Sequence, residues 1–464
     1  MDITPALPSA VDGQMTVRIA NDVETPLTAQ VIVLEGVNDN SYQDVTVFVS
    51  CDLVTIPTEL KNLIQKSVKK AIPALNEKKI MINATHTHTA GVVRDGWYTL
   101  PEGVTKVKDY QEFIARQVTN AIVKAWENRQ PGSVAWGLGY AKVAFNRRAV
   151  YENGNAQMYG KTDVSEFRGI EGYEDQSINS LFFWNEAGKL LAACINVASP
   201  AQIVESRTVI NADYWHPLRE SLKKIYGPDL CVVGWIGAAG DQTPRPIAGM
   251  AGDRRMLDLA NGSYLRGENN RETDFRTDEY LREIAERIAN TVNQTYALVQ
   301  NDRYLDVPIA HEVKEFNVSA RIVTQAEKDA CEKSIAEDKS DIEKGVLFSR
   351  RIAWNQEVVD RFEKQKINPS PQYLVEAHAV RIGDVVICTN PFELFTDFGI
   401  QIKARSIALQ TFVVQLVGPG TYVPTRKAEE GGHYSAIVQS NRVGAEGGQQ
   451  LVDHTVELIA TLWP

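Results

Sequence analysis

Two of the chain's seven histidines stand two positions apart, in Asn83-Ala84-Thr85-His86-Thr87-His88-Thr89. Imidazole is the commonest side-chain metal ligand and the commonest acid or base near neutral pH. The run Lys79-Ile80-Met81-Ile82 before it reads as a buried strand that delivers this tip. In an extended segment, side chains at i and i+2 share a face, so both rings are expected to converge on one spot. A pair of hydrogen-bonded surface histidines would have the same spacing, so the motif needs company before it counts as a site.

Four other segments supply that company. Each is a strand-like run ending in polar, Gly- or Pro-punctuated residues. Gly237-Ala238-Ala239-Gly240-Asp241-Gln242-Thr243-Pro244 offers Asp241 as an acid or ligand and Thr243 as a hydroxyl, on small residues that let a ligand approach the backbone. The alternative is a tight turn. Thr389-Asn390-Pro391-Phe392-Glu393 offers a carboxylate that could ligate a metal or act as a base. Glu393 reads equally as the first-turn acid of a following helix. Tyr422 lies in Gly418-Pro419-Gly420-Thr421-Tyr422 and Arg147 in Phe145-Asn146-Arg147-Arg148. A packed aromatic and a surface ion pair are their plain readings, and an arginine clamp on a carbonyl is the functional one. Polar groups gathered at strand ends are how open α/β sheets bind ligands. With a His-x-His among them, the natural chemistry is metal-assisted hydrolysis of a carbonyl compound.

The surrounding pattern predicts an α/β architecture of sheets with flanking helices. Val31–Leu34 and Val45–Cys51 read as strands buried on both faces. Leu60, Leu63, Ile64, Val68 and Ile72 place an amphipathic helix over Pro57–Leu75, and a second follows over Tyr110–Asn128. Strands are expected at Ser133–Phe145, Leu181–Trp184, Leu190–Val197 and Leu230–Ile236, with a helix over Asp213–Tyr226. Residues 244–275 read as a long loop rich in Gly, Arg and Asp, followed by a helix over Thr277–Val299. A charged helix over Gln325–Lys344 reads as a solvated face. A strand Ala379–Thr389, a helix Leu394–Ser406, a strand Phe412–Val417 and a helix Leu451–Leu462 complete the pattern. No repeat or linker divides residues 1–464, so a single catalytic-type domain is expected.

A net charge of −10 argues against a nucleic-acid partner, which usually meets a basic face. No apolar run is long enough for a transmembrane segment. Five scattered cysteines imply no disulfide framework, and Cys51, Cys194, Cys231 and Cys388 lie in apolar runs as core residues. No signal peptide is evident, yet the start Asp2-Ile3-Thr4-Pro5 is what a trimmed export signal would leave, which points to a secreted or periplasmic protein in that case.

Taken in order, these segments resemble the catalytic domain of the neutral/alkaline (non-lysosomal) ceramidases. Asp2-Ile3-Thr4-Pro5 is similar to that family's opening, and Ala84–Thr89 resembles its Thr-His-Thr-His-Ser motif. Asn146-Arg147 resembles Asn-Arg-Ser-Pro, and Gly240–Pro244 resembles Gly-Asp-x-Ser-Pro. Asn390–Glu393 resembles Pro-Gly-Glu, and Tyr422–Thr425 resembles Tyr-x-Thr-Thr. The resemblance runs along essentially the whole chain, without the C-terminal immunoglobulin-like domain of the bacterial enzymes.

It implies a zinc-dependent hydrolase of an N-acyl (amide) bond in a small-molecule amide or lipid. His86, Glu393 and Tyr422 would hold the zinc. His88 and Asp241 would move protons, Thr243 would replace the family's serine, and Arg147 would touch substrate. The family's second zinc histidine falls in a Val-His-Pro-Thr-like segment; here Asn196–Gln202 matches it, and Ser199 stands at the histidine. Serine is a poor zinc ligand, and nearby His216 is a candidate replacement. His311, His378, His433 and His454 read as structural or surface residues, although His433 follows the Tyr422 loop closely enough to reach the site. The rival readings are a lipid- or carbohydrate-binding module on the same scaffold, and a metal hydrolase of a different bond.

Overall fold

The computed structural model describes residues 1–36, 44–264, 274–343 and 349–463. Three sheets carry the architecture, each containing one parallel pair of strands. In the first, Val45–Cys51 pairs antiparallel with Ala29–Glu35 and parallel with Ile80–Ala84. In the second, Leu190–Val197 pairs parallel with Cys231–Ile236 and antiparallel with Ser177–Asn185, which in turn pairs with Gly132–Tyr140. In the third, Val385–Thr389 pairs parallel with Gln410–Val414 and antiparallel with Gln372–Ile382, whose far side takes Ile309–Ser319 over eleven residues.

One apolar interior joins all three sheets. Phe48 and Met81 from the first, Cys194 and Trp235 from the second, and Ile387 and Phe412 from the third share a single buried cluster. The opposite face of each sheet is covered by helices. Thr58–Ala71 and Val107–Glu127 pack on the first, Trp215–Tyr226 and Asp278–Val299 on the second, and Thr396–Arg405 with Ala445–Ala460 on the third. Leu60, Ile64 and Val68 form the buried stripe of Thr58–Ala71, with Glu59 in its first turn and Lys69 and Lys70 in its last, as the helix dipole favours. Thr277 caps Asp278–Val299 by accepting from the Tyr280 amide. Strands buried on both faces read as unbroken apolar runs, which is why the parallel strands were visible in the sequence.

Buried amides lace the sheets together. Asn83 Nδ2 donates to Gly234 O at 2.9 Å, and Ser50 Oγ donates to the same carbonyl at 2.7 Å. Asn196 Nδ2 donates to Val413 O at 2.9 Å. Gln415 Oε1 accepts from the amides of Ala239 and Leu394. These contacts bind sheet to sheet at the C-terminal ends of the parallel pairs. Replacing Asn196 with Leu is expected to cost about 1–3 kcal/mol, because it strands buried carbonyls in the joint; urea unfolding checks this.

Several expectations change. Ser133–Phe145 is not one strand: Gly132–Tyr140 ends before a separate two-residue pair, Phe145–Asn146 with Gln242–Thr243. The loop read over 244–275 contains a helix, Met250–Ala260, and its residues 265–273 lie outside the described residues, as does Lys344. The helix Ser349–Ile367 and the strand Ile309–Ser319 were not anticipated. The final helix begins at Ala445, six residues earlier than its apolar stripe suggested. All five cysteines are free; Cys51, Cys194 and Cys388 are buried as expected, whereas Cys231 is only partly buried and Cys331, not among the expected core residues, is buried. No described helix is long and apolar enough to cross a membrane.

Candidate active site

The three parallel pairs end at one place, and each delivers a different part of the site. From the first sheet, the strand stops at Ala84 and His86 takes a left-handed backbone (φ 62°). The two histidines therefore do not share a face of an extended strand. They converge because the chain turns at His86, so the rings meet edge to face with centroids 4.7 Å apart. Nε2 of His86 lies 3.2 Å from Nε2 of His88. A buried ion pair lies beneath this turn: Arg219 contacts both oxygens of Asp52 at 2.6 and 2.9 Å, and Asp52 also accepts from Thr85 Oγ1.

From the third sheet come Glu393 and Tyr422, direct partners in a two-residue parallel pairing. Glu393 Oε2 lies 3.3 Å from His86 Nε2, and Glu393 also bonds the Tyr422 side chain. Burial pushes the Glu393 carboxyl up, but His86, Tyr422 and Arg147 outweigh it and hold it below its usual range. Burial, reinforced by Glu393, pushes the Tyr422 phenol well above its ordinary value.

From the second sheet comes a residue the sequence reading passed over. Gln202 Nε2 lies 2.8 Å from His88 Nε2, and its Oε1 accepts from Arg147 Nη1 at 3.2 Å. Arginine only donates, so this contact fixes which end of the amide faces His88. Ser199, the position matched to the family's histidine, has its hydroxyl on Val143 O at 2.7 Å and takes no part. The signal that could have found Gln202 is its place three residues past Ser199, on the same strand exit.

Tautomers follow from these partners. His86 Nδ1 is 2.7 Å from Val54 O, so Nδ1 donates there and Nε2 faces His88 and Glu393. His88 Nε2 accepts from Gln202, so its proton sits on Nδ1, 3.7 Å from Glu205 Oε2. Burial, then His86, Arg18 and Arg147, holds His88 well below its ordinary value, so it is neutral at pH 7. His86 Nε2 thus meets His88 Nε2 at 3.2 Å and a Glu393 carboxylate oxygen at 3.3 Å. Among the described residues no three His, Cys, Asp or Glu side chains are grouped to hold a metal. The available set is His86, Glu393 and the Tyr422 phenol. The 3.3 Å between His86 Nε2 and Glu393 Oε2 fits the edge of a tetrahedron with zinc bonds of about 2.0–2.2 Å.

The other expected residues divide. Arg147 is buried behind the site, donating to Gly240 O at 2.9 Å and Tyr422 OH at 3.3 Å. The Thr243 hydroxyl accepts from Tyr159 OH at 3.3 Å, which also takes an Arg147 bond, and from the Arg245 amide at 3.4 Å. Asp241 corrects the expectation of a proton carrier. Its carboxylate is occupied by Asn146 Nδ2 at 2.7 Å and by the Thr396 amide and hydroxyl at 3.0 and 2.7 Å. Its backbone carbonyl accepts from the Arg147 amide, so Asp241 positions Arg147. His216 is half-buried beside Asp52, Arg219 and Glu220 and touches no residue of the site. His433 accepts from the Met158 amide, and its neighbour Tyr434 reaches the site instead, edge-on to Tyr422.

His86, His88, Glu393, Tyr422 and Tyr434 line a cavity of about 700 Å³. No family model matches this sequence, and no curated protein matches it. Solved structures do match in three dimensions, fourteen chains among them. The neutral ceramidase from Pseudomonas aeruginosa superposes with a TM-score of 0.66 at 16% identity, over 99% of this chain and 73% of that one. The fold is that of neutral ceramidase. A ceramidase complexed with C2 gives a TM-score of 0.67, also at 16% identity, over 99% of this chain and 74% of that one. The ceramidase fold accounts for the order of the segments above, and it leaves chemistry to the residues at the strand ends.

Proposed function

We propose that this chain hydrolyses the amide bond of an N-acylated amine, with a zinc ion held by His86, Glu393 and Tyr422. The observation that carries the reading is the convergence of His86 Nε2, His88 Nε2 and Glu393, with the Tyr422 side chain on the same carboxylate. Likeness to the neutral ceramidase fold supports it.

When bound, the zinc would polarise the amide carbonyl and acidify a water molecule. The remaining work falls to the chain. His88, neutral and buried, exchanges its Gln202 bond for the proton of the attacking water and returns it to the departing amine. Glu205, 3.7 Å from Nδ1 and itself paired with Arg245, stabilises the imidazolium formed in between. Arg147 keeps Gln202 and Tyr422 in place through one guanidinium. Tyr434 and Tyr422 pack edge to face and keep bulk water from this side of the carboxylate.

The test is zinc-replete protein against a panel of N-acyl amides and matched esters, with metal content measured in parallel. Amide hydrolysis with about one zinc per chain supports the reading. No hydrolysis of any amide by zinc-loaded protein overturns it and favours the binding module. Ester cleavage alone favours the different-bond hydrolase. Within the proposed reading, Gln202→Leu is expected to lower kcat by about 10- to 100-fold, because the bond that fixes the His88 tautomer is gone; steady-state kinetics on the best amide checks it.

A further inference from the structure

Arg94, Trp97 and Arg350 also line the cavity. The Arg94 guanidinium lies 3.8 Å from the Trp97 ring centroid, and that of Arg350 lies 4.5 Å from it. Arg350 also donates to Tyr98 OH at 2.9 Å and to Gln14 O. The fully buried Asp12 carboxylate is 3.6 Å from Arg94, and no described carboxylate lies within ion-pair distance of Arg350. Arg18, alongside, spends its donors on the carbonyls of Asp12, His88, Glu205 and Arg207. Arg94 and Arg350 thus have one carboxylate, Asp12, close by, in a protein whose net charge is −10.

Among the described residues, Nε of Arg94, Nε of Arg350 and Nε1 of Trp97 have no acceptor. They are shielded from solvent and mark a wall short of acceptors. The acids nearer solvent do not fill the need. Glu357 is taken by Arg442 at 2.6 and 3.1 Å, and Glu59 and Asp95 are exposed.

We propose that Arg94, Trp97 and Arg350 form an oxyanion subsite, and that the substrate is an N-acylated amine bearing a carboxylate or phosphate. This rests on the amide-hydrolase reading for the word substrate, but the subsite can be tested without turnover. Guanidiniums stacked on an indole are held in place, so their N–H forks meet a planar or tetrahedral oxyanion with little ordering left to do.

The experiment is calorimetric titration of the zinc-free full-length protein with N-acetylglycine, with N-acetylglycinamide and with inorganic phosphate. The first two differ only in the charge at the carboxyl. N-acetylglycine is expected to bind on the order of 10- to 100-fold tighter than the amide, and the preference to shrink as salt is raised. Arg350→Gln should abolish the preference, and Arg350→Lys should restore part of it. If Arg350→Gln loses its thermal transition, Arg94→Gln carries the same expectation. Tighter binding of phosphate than of N-acetylglycine assigns the subsite to phosphate; the reverse assigns it to carboxylate. Equal binding of acid and amide, no detectable binding of the acid, or a preference that survives in both glutamine variants overturns the subsite. Anion binding without hydrolysis of any amide, anionic or neutral, would keep the subsite and overturn the amide-hydrolase reading instead.

Discussion

Glu393→Gln is expected to lower kcat/KM on an N-acyl amide by on the order of a thousandfold, with zinc lost alongside. The amide keeps the shape of the carboxylate but removes the negative charge between His86 and Tyr422. His86→Ala should do the same by removing the one nitrogen whose tautomer is fixed by the Val54 carbonyl. The measurement is steady-state kinetics with elemental analysis of the same preparations after dialysis against metal-free buffer. Wild-type-like activity in both variants would show that the converging side chains are structural. Thr243→Ala is the control, because its hydroxyl bonds Tyr159 and the Arg245 amide rather than the proposed zinc donors.

The second large effect concerns stability. Arg219→Met is expected to destabilise the protein by about 3–5 kcal/mol, because it leaves the Asp52 carboxylate buried without its counter-charge. Both partners are almost wholly shielded from solvent, so water cannot take over. Asp52 also accepts from the amide and hydroxyl of Thr28 and from Thr85, so a displaced Asp52 loosens the turn that carries His86. The paired variant Asp52→Leu with Arg219→Leu should cost clearly less than either single change, since no charge is then stranded. Chemical denaturation of the three variants settles the comparison. Equal destabilisation by all three would mean that shape, not charge, holds the joint.

What could be read in the sequence was set by how each element buries itself. The parallel strands are enclosed on both faces and appear as apolar runs. The helices over Thr58–Ala71 and Asp278–Val299 carry regular apolar stripes, and they fall close to where those stripes place them. The strand Ile309–Ser319 escaped because much of its middle faces solvent: His-Glu-Val-Lys-Glu looks like a surface loop until its partner strand is known. Ser349–Ile367 escaped for the same reason, its helix being charged around most of its surface. At the site, the residues named by motif were found at the right strand ends, but their division of labour was not legible. Asp241 looks like a free acid in sequence, and only Asn146 and Thr396, distant along the chain, occupy it. Gln202 carries no chemistry in its residue type alone; its role exists only through His88 and Arg147.

The lacing of the three sheets has a consequence for biosynthesis. A nascent chain that has passed the second sheet holds both histidines and Gln202, but no carboxylate beside His86, because Glu393 is still to be made. The joint itself waits longer. Asn196 needs the carbonyl of Val413, and Ala239 and Leu394 need the side chain of Gln415. Any ribosome-bound fragment that stops short of these residues therefore has buried amides with nothing to bond and a pair of imidazoles without their acid. Competence arrives late and all at once, when the last sheet docks. A cell making this protein is spared a half-built site during translation, and a premature stop codon anywhere before residue 422 yields a chain without His86, Glu393 and Tyr422 together.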